Sequence, residues 1–115
     1  QYGSTVQSGL TAITAGQVVG MALDLDNGTL QYYVNGSTRA SQLTSVSSAN
    51  DGYTYFFFAN SESSSSGRYG KYSFNFGNPP YAGGGYKDAN GYGDFSYTVP
   101  SGFYAVNSAN LAEFG

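Results

Sequence analysis

The sequence predicts an all-β, antiparallel sandwich, and three observations carry that prediction. The composition is rich in both strand and turn formers, several segments alternate apolar and polar residues, and no segment carries a helical stripe. Among 115 residues there are twelve tyrosines, eight phenylalanines and seventeen glycines, with only 10% charged residues. Aromatic residues favour strands, while Gly, Ser and Asn favour tight loops. The length suits a single core.

The clearest element is a hairpin. Val19, Met21, Leu23 and Leu25 alternate with Gly20, Ala22, Asp24 and Asp26, the period-two pattern of a strand with one apolar face. Asn27-Gly28 supplies the residue types of a two-residue type I′ turn. The return strand, residues 29–35, sets Leu30, Tyr32 and Val34 on one face and Gln31 and Tyr33 on the other. Asn35-Gly36 ends it. Both Asn-Gly pairs are formal glycosylation sequons, and turn chemistry accounts for each. Residues 37–51 read as a Ser/Thr-rich connection. Residues 53–59 form a continuous Tyr-Thr-Tyr-Phe-Phe-Phe-Ala run that suits a strand covered on both faces. After a Ser/Gly loop over 62–70, residues 71–77 alternate again and stop at Pro79-Pro80, which cannot donate to a ladder. Residues 81–93 read as a long Gly/Asn/Tyr surface loop and 95–99 as a short last strand. Residues 103–115 have mild helical character. The opening, residues 1–16, reads as an edge strand and loop.

Composition also excludes function classes. The chain has no cysteine and no histidine. The usual general base, the commonest metal ligand and thiolate chemistry are therefore missing, and no enzyme activity or cofactor is expected. The four basic residues are scattered and the net charge is −3, which argues against nucleic acid as a partner. No apolar run approaches the roughly 20 residues of a membrane helix. Asp24, Asp26 and Asn27 beside Gly28 invite a calcium reading, but the distal glutamate of a calcium loop is lacking. Asp24 and Asp26 stand about 7 Å apart along one strand. A single strand does not set two carboxylates on opposite sides of a sugar ring, as glycoside hydrolysis requires. The best contact candidates are loop tyrosines set among glycines, Tyr69, Tyr81, Tyr86 and Tyr92. They offer large amphipathic area at low entropic cost and suit stacking on sugar rings.

Residues 16–36, Gly-Gln-Val-Val-Gly-Met-Ala-Leu-Asp-Leu-Asp-Asn-Gly-Thr-Leu-Gln-Tyr-Tyr-Val-Asn-Gly, resemble the core hairpin of SPRY domains, with Gln17 where the family often has Asp. Tyr55-Phe56-Phe57 resembles the family's Tyr-Pro strand, and Ser73-Phe74-Asn75-Phe76-Gly77 its Val-Asn-Phe-Gly strand. The tail Pro100-Ser101-Gly102-Phe103-Tyr104-Ala105-Val106-Asn107-Ser108-Ala109-Asn110-Leu111 resembles a segment that follows such domains in bacteriophage structural proteins, with Tyr104 replacing a common lysine. The resemblance spans residues 16–111 apart from the loops. It implies a concanavalin A-like sandwich over residues 1–100, incomplete at its N-terminal side, and a separate tail over residues 101–115. It further implies a non-enzymatic virion component, either a capsid decoration, head-fibre or tail-fibre module. Such a module is oligomeric and binds neighbouring virion subunits and host-surface glycan through loops at one end of the sandwich. The alternative is an extracellular or cell-surface lectin-like, adhesive module that assembles into filaments. The family's strands before this hairpin are missing, so either a longer chain or other polypeptide is expected to complete the sheets.

Overall fold

A computed structural model of the protein describes residues 8, 10–44, 46, 52, 54–59 and 70–115. Three strands form one antiparallel sheet in the order β1-β2-β3: β1 (Val19–Asp24), β2 (Thr29–Val34) and β3 (Ser37–Leu43). A short helix, α1 (Ser108–Phe114), lies in the C-terminal segment.

The hairpin has the expected faces. Val19, Met21 and Leu23 stand opposite Val34, Tyr32 and Leu30. On the other face Gly20 stands opposite Tyr33, whose Cβ and ring would lie in ordinary van der Waals contact with a Cβ at residue 20. The turn differs from the sequence expectation. Asp24 pairs with Thr29, so the loop holds residues 25–28 and is not the two-residue turn expected at Asn27-Gly28. The reason is the Asp24 carboxylate, whose Oδ1 accepts from the Asn27 backbone N–H (2.9 Å) and whose Oδ2 accepts from Asn27 Nδ2 (2.7 Å). That side chain closes the turn locally, in the manner of an Asx turn. The type I′ turn falls instead at Asn35-Gly36, both with positive φ (49° and 78°) between the paired residues Val34 and Ser37.

β3 therefore lies in the stretch expected to be a connection. Its residues are mostly polar and exposed, so it lacks apolar alternation, and the turn geometry rather than the pattern aligns it. Between the pairs Leu30↔Leu43 and Tyr32↔Arg39 the register shifts, with Ala40 at φ 60°. The Gln31 side-chain amide fills this bulge by donating to the Tyr32, Arg39 and Ala40 carbonyls.

Among the described residues, 54–59 and 70–77 form no strand of the sheet. Nor is 54–59 covered on both faces as expected. Tyr55, Phe57 and Ala59 are half-buried, whereas Phe56 and Phe58 are 81% and 70% exposed. The two segments meet through rings, with Phe57 tilted against Phe76 at 5.5 Å and Phe74 stacked on Phe76 at 6.1 Å. The last expected strand, 95–99, reduces to a single bridge between Tyr86 and Phe95. The helical character of the tail is realised in α1.

Burial is sparse. Among the described residues the buried apolar side chains are Ala22 and Ala105, and no large side chain is fully buried. The radius of gyration is 15.3 Å, against roughly 13 Å for a compact chain of this length. Most apolar side chains of the sheet and its aromatic neighbours are thus only half-covered, and Phe56 and Phe58 are largely open.

Candidate functional site

A dense polar cluster joins the loop at 88–92 to the tail. Asp88 is 7% exposed, and both its oxygens are occupied. Oδ1 accepts from the backbone N–H groups of Asn90 (3.0 Å) and Tyr92 (2.9 Å). Oδ2 accepts from the Ala105 N–H (2.9 Å) and from Asn110 Nδ2 (2.7 Å). Burial acts to raise the Asp88 pKa, but these four hydrogen bonds outweigh it and hold the carboxyl below its ordinary 3.8. Asn110 completes the cluster, donating to the Ala105 carbonyl and accepting from Asn90 Nδ2 through Oδ1 (2.8 Å). Asn107 then caps α1, its side chain accepting from the Asn110 N–H (2.9 Å).

This cluster presents an apolar groove of about 720 Å³ whose walls include Tyr104, Val106, Leu111 and Phe114. All four are exposed, Leu111 at 72%. A second trough of about 610 Å³ lies on the sheet. Leu30, Tyr32, Val34 and Val19 form its floor, and Leu10 and Ile13 its rim. Arg39 ties that rim to the sheet by donating from Nη2 to the Thr11 carbonyl.

The loop tyrosines take different roles. Tyr81 and Tyr86 are exposed at 41% and 45%, Tyr86 on the bridge to Phe95. Tyr92 is half-buried and donates its hydroxyl to Glu113 on α1, which raises its pKa above the ordinary 10.0. Tyr69 lies outside the described residues. The glycine run beneath Tyr86 is fixed by Asp94, whose Oδ1 accepts from the Gly85 N–H (2.8 Å). A Cβ at Gly83 would stand 2.1 Å from the same oxygen, so a larger residue there would have to displace the Asp94 carboxylate from its bond to Gly85.

Both carboxylates whose pKa is lowered have their two oxygens engaged by hydrogen bonds. Asp88 is saturated by donors, and Asp24 has both oxygens engaged by Asn27, whose side-chain and backbone hydrogen bonds hold its pKa below 3.8. Among the described residues no group of three or more acidic, His or Cys side chains is arranged to hold a metal ion. The Asp88–Asn110 cluster escapes sequence reasoning because its members are 22 residues apart in what reads as surface loop. The spacing of Asn107 and Asn110 just before an apolar pair is the one local signal, an N-cap with its third helical residue. No family model, curated protein or solved structure matches the chain at a significant level.

Proposed function

We propose that the protein is a non-enzymatic structural module of a bacteriophage virion, whose open apolar faces dock on neighbouring subunits. One observation carries this reading: no large side chain among the described residues is fully buried, while Phe56, Phe58, Leu111 and Phe114 are largely exposed. Leu111 and Phe114 share one groove with exposed Tyr104 and Val106, and contiguous exposed apolar surface of that kind marks interaction sites. The sheet is then one layer of a SPRY-like sandwich, and polypeptide outside residues 1–115 supplies what covers it. The resemblance of residues 100–111 to a segment that follows SPRY-like domains in phage structural proteins supports the virion setting. Exposed Tyr81 and Tyr86 favour a second contact, with host-surface glycan, by stacking on sugar rings.

The same tyrosine loop favours the alternative of a cell-surface adhesive module, and one experiment separates the two. Trypsin releases residues 72–87 as a single peptide between Lys71 and Lys87. Mass spectrometry of purified particles from the native source is expected to find this peptide in amounts comparable to other structural proteins. Its recovery from the surface fraction of uninfected cells, and not from particles, would overturn the virion assignment.

A further inference from the structure

The two edges of the sheet are unequal. The β3 edge is blunted by its bulge, by Ala40 at φ 60° and by polar exposed residues, devices that discourage strand addition. The β1 edge has none of these. Val-Gly-Met-Ala-Leu precedes Asp24 without a charge, a proline or a bulge.

The hydrogen-bond phase of β1 fixes which groups are open. The Asn35 N–H donates to the Val18 carbonyl (2.9 Å), so Val18 and Asn35 form a bonded pair. Antiparallel pairs alternate, so the backbone N–H and C=O groups of Val19, Met21 and Leu23 point away from β2. Among the described residues no strand lies beside them. Val19 and Met21 are exposed on the same side of the sheet as the trough.

We propose that β1 pairs antiparallel with β1 of a second copy, about a two-fold axis at Met21. This rests on the reading that the open sheet docks neighbouring subunits, and it names the partner as another copy of this chain. The sequence of β1 suits that register. Met21 meets Met21 and Val19 meets Leu23, so apolar faces apolar and about six backbone hydrogen bonds form. On the opposite face Gly20 meets Ala22, small residues where non-bonded pairs approach to about 4.5 Å. Asp24 falls opposite Val18. The two Asp24 carboxylates are therefore held about 20 Å apart, beyond the ~10 Å screening length of ordinary salt. Each three-stranded sheet becomes half of a continuous one, and the two troughs join. An isologous contact of this kind closes on itself.

The chain has no cysteine, so a single introduced thiol reports the register. Bonded antiparallel pairs have Cα atoms about 5.5 Å apart, inside the disulfide range of about 4.4–6.8 Å. Under mild oxidation the Met21→Cys chain is expected to run at twice its mass on a non-reducing gel. Val19→Cys alone remains single, and a mixture of Val19→Cys with Leu23→Cys yields the cross-linked pair. Met21→Pro removes only an outward-facing donor. It is expected to sediment as a monomer while its strand circular dichroism persists. Cross-linking of Met21→Cys no greater than that of Val19→Cys would overturn the proposal, as would a wild-type chain that is monomeric at all concentrations. If that happens while the residue 72–87 peptide is present in particles, self-pairing falls and the virion role stands. A cross-linked Met21→Cys pair with no peptide in particles gives the reverse.

Discussion

Replacing Asp88 with Asn is the sharpest perturbation of the tail. The carboxylate accepts four hydrogen bonds, two on each oxygen. An amide has one oxygen. Whichever way it is turned, its NH2 group faces two donors, either the Asn90 and Tyr92 N–H groups or the Ala105 N–H and Asn110 Nδ2. Hydrogen bonds to a charged group contribute about 1.5–3 kcal/mol each. The two lost bonds share one site and are not additive, so we expect a net loss of about 3 kcal/mol locally. At 1.4 kcal/mol per factor of ten, that is roughly a 100-fold rise in the opening equilibrium of the tail. Amide hydrogen exchange reads it directly, because the Ala105 N–H is a buried donor to Asp88. The Ala105 amide is expected to exchange about 100-fold faster in Asp88→Asn, with the β1–β2 amides unchanged. An Ala105 amide that keeps its wild-type rate would refute the assignment of Asp88 as the tail's anchor.

Three further outcomes follow from the same geometry. The folded-state pKa of Asp88 lies below its ordinary 3.8, so its contribution is complete above that value and is lost as pH falls through the lower folded value. Exchange at Ala105 should hence track the intrinsic rate from neutral pH to about 4.5 and depart upward only below ~3.8; a departure near pH 6 would contradict this. Asn107→Ala removes the α1 cap and should cost about 1 kcal/mol, seen as faster exchange over residues 110–114 without change in the hairpin. Gly36→Ala forces a Cβ to 2.8 Å from the Tyr97 ring at φ 78°, and should lower the urea midpoint by the equivalent of about 1–2 kcal/mol. An unchanged midpoint would mean that the Asn35-Gly36 turn does not hold β2 to β3.

The hairpin was legible because its pattern is local. Alternation set Val19, Met21 and Leu23 on one face of β1 and Leu30, Tyr32 and Val34 on one face of β2, and the structure brings those faces together, but with Leu23 opposite Leu30 where a two-residue turn at Asn27-Gly28 would have set it opposite Tyr32. The turn type was not legible from Asn-Gly alone. Both pairs fit type I′ chemistry, and only the Asp24 side chain, closing on Asn27, decides between them. An Asp three residues before an Asn is the signal that distinguishes the two. β3 escaped notice because Ser-Thr-Arg-Ala-Ser-Gln-Leu has no apolar face to read. The aromatic run at 53–59 misled in the opposite sense: hydrophobicity reports a wish for cover, not the presence of a covering partner. Tyr53 lies outside the described residues, and Phe56 and Phe58 face outward. Among the tyrosines, composition picked out exposed Tyr81 and Tyr86, but could not show that Tyr92 would meet Glu113 across 21 residues of chain.

The account turns on whether the open apolar surface is covered when the protein is in its working assembly. Hydroxyl-radical footprinting tests that directly, comparing the isolated chain with purified native particles and reading Met21, Phe56, Phe58, Leu111 and Phe114. All five are expected to oxidise readily in the isolated chain and to be strongly protected in the particle. Equal oxidation in both states would contradict it, leaving these side chains as plain solvent-facing surface.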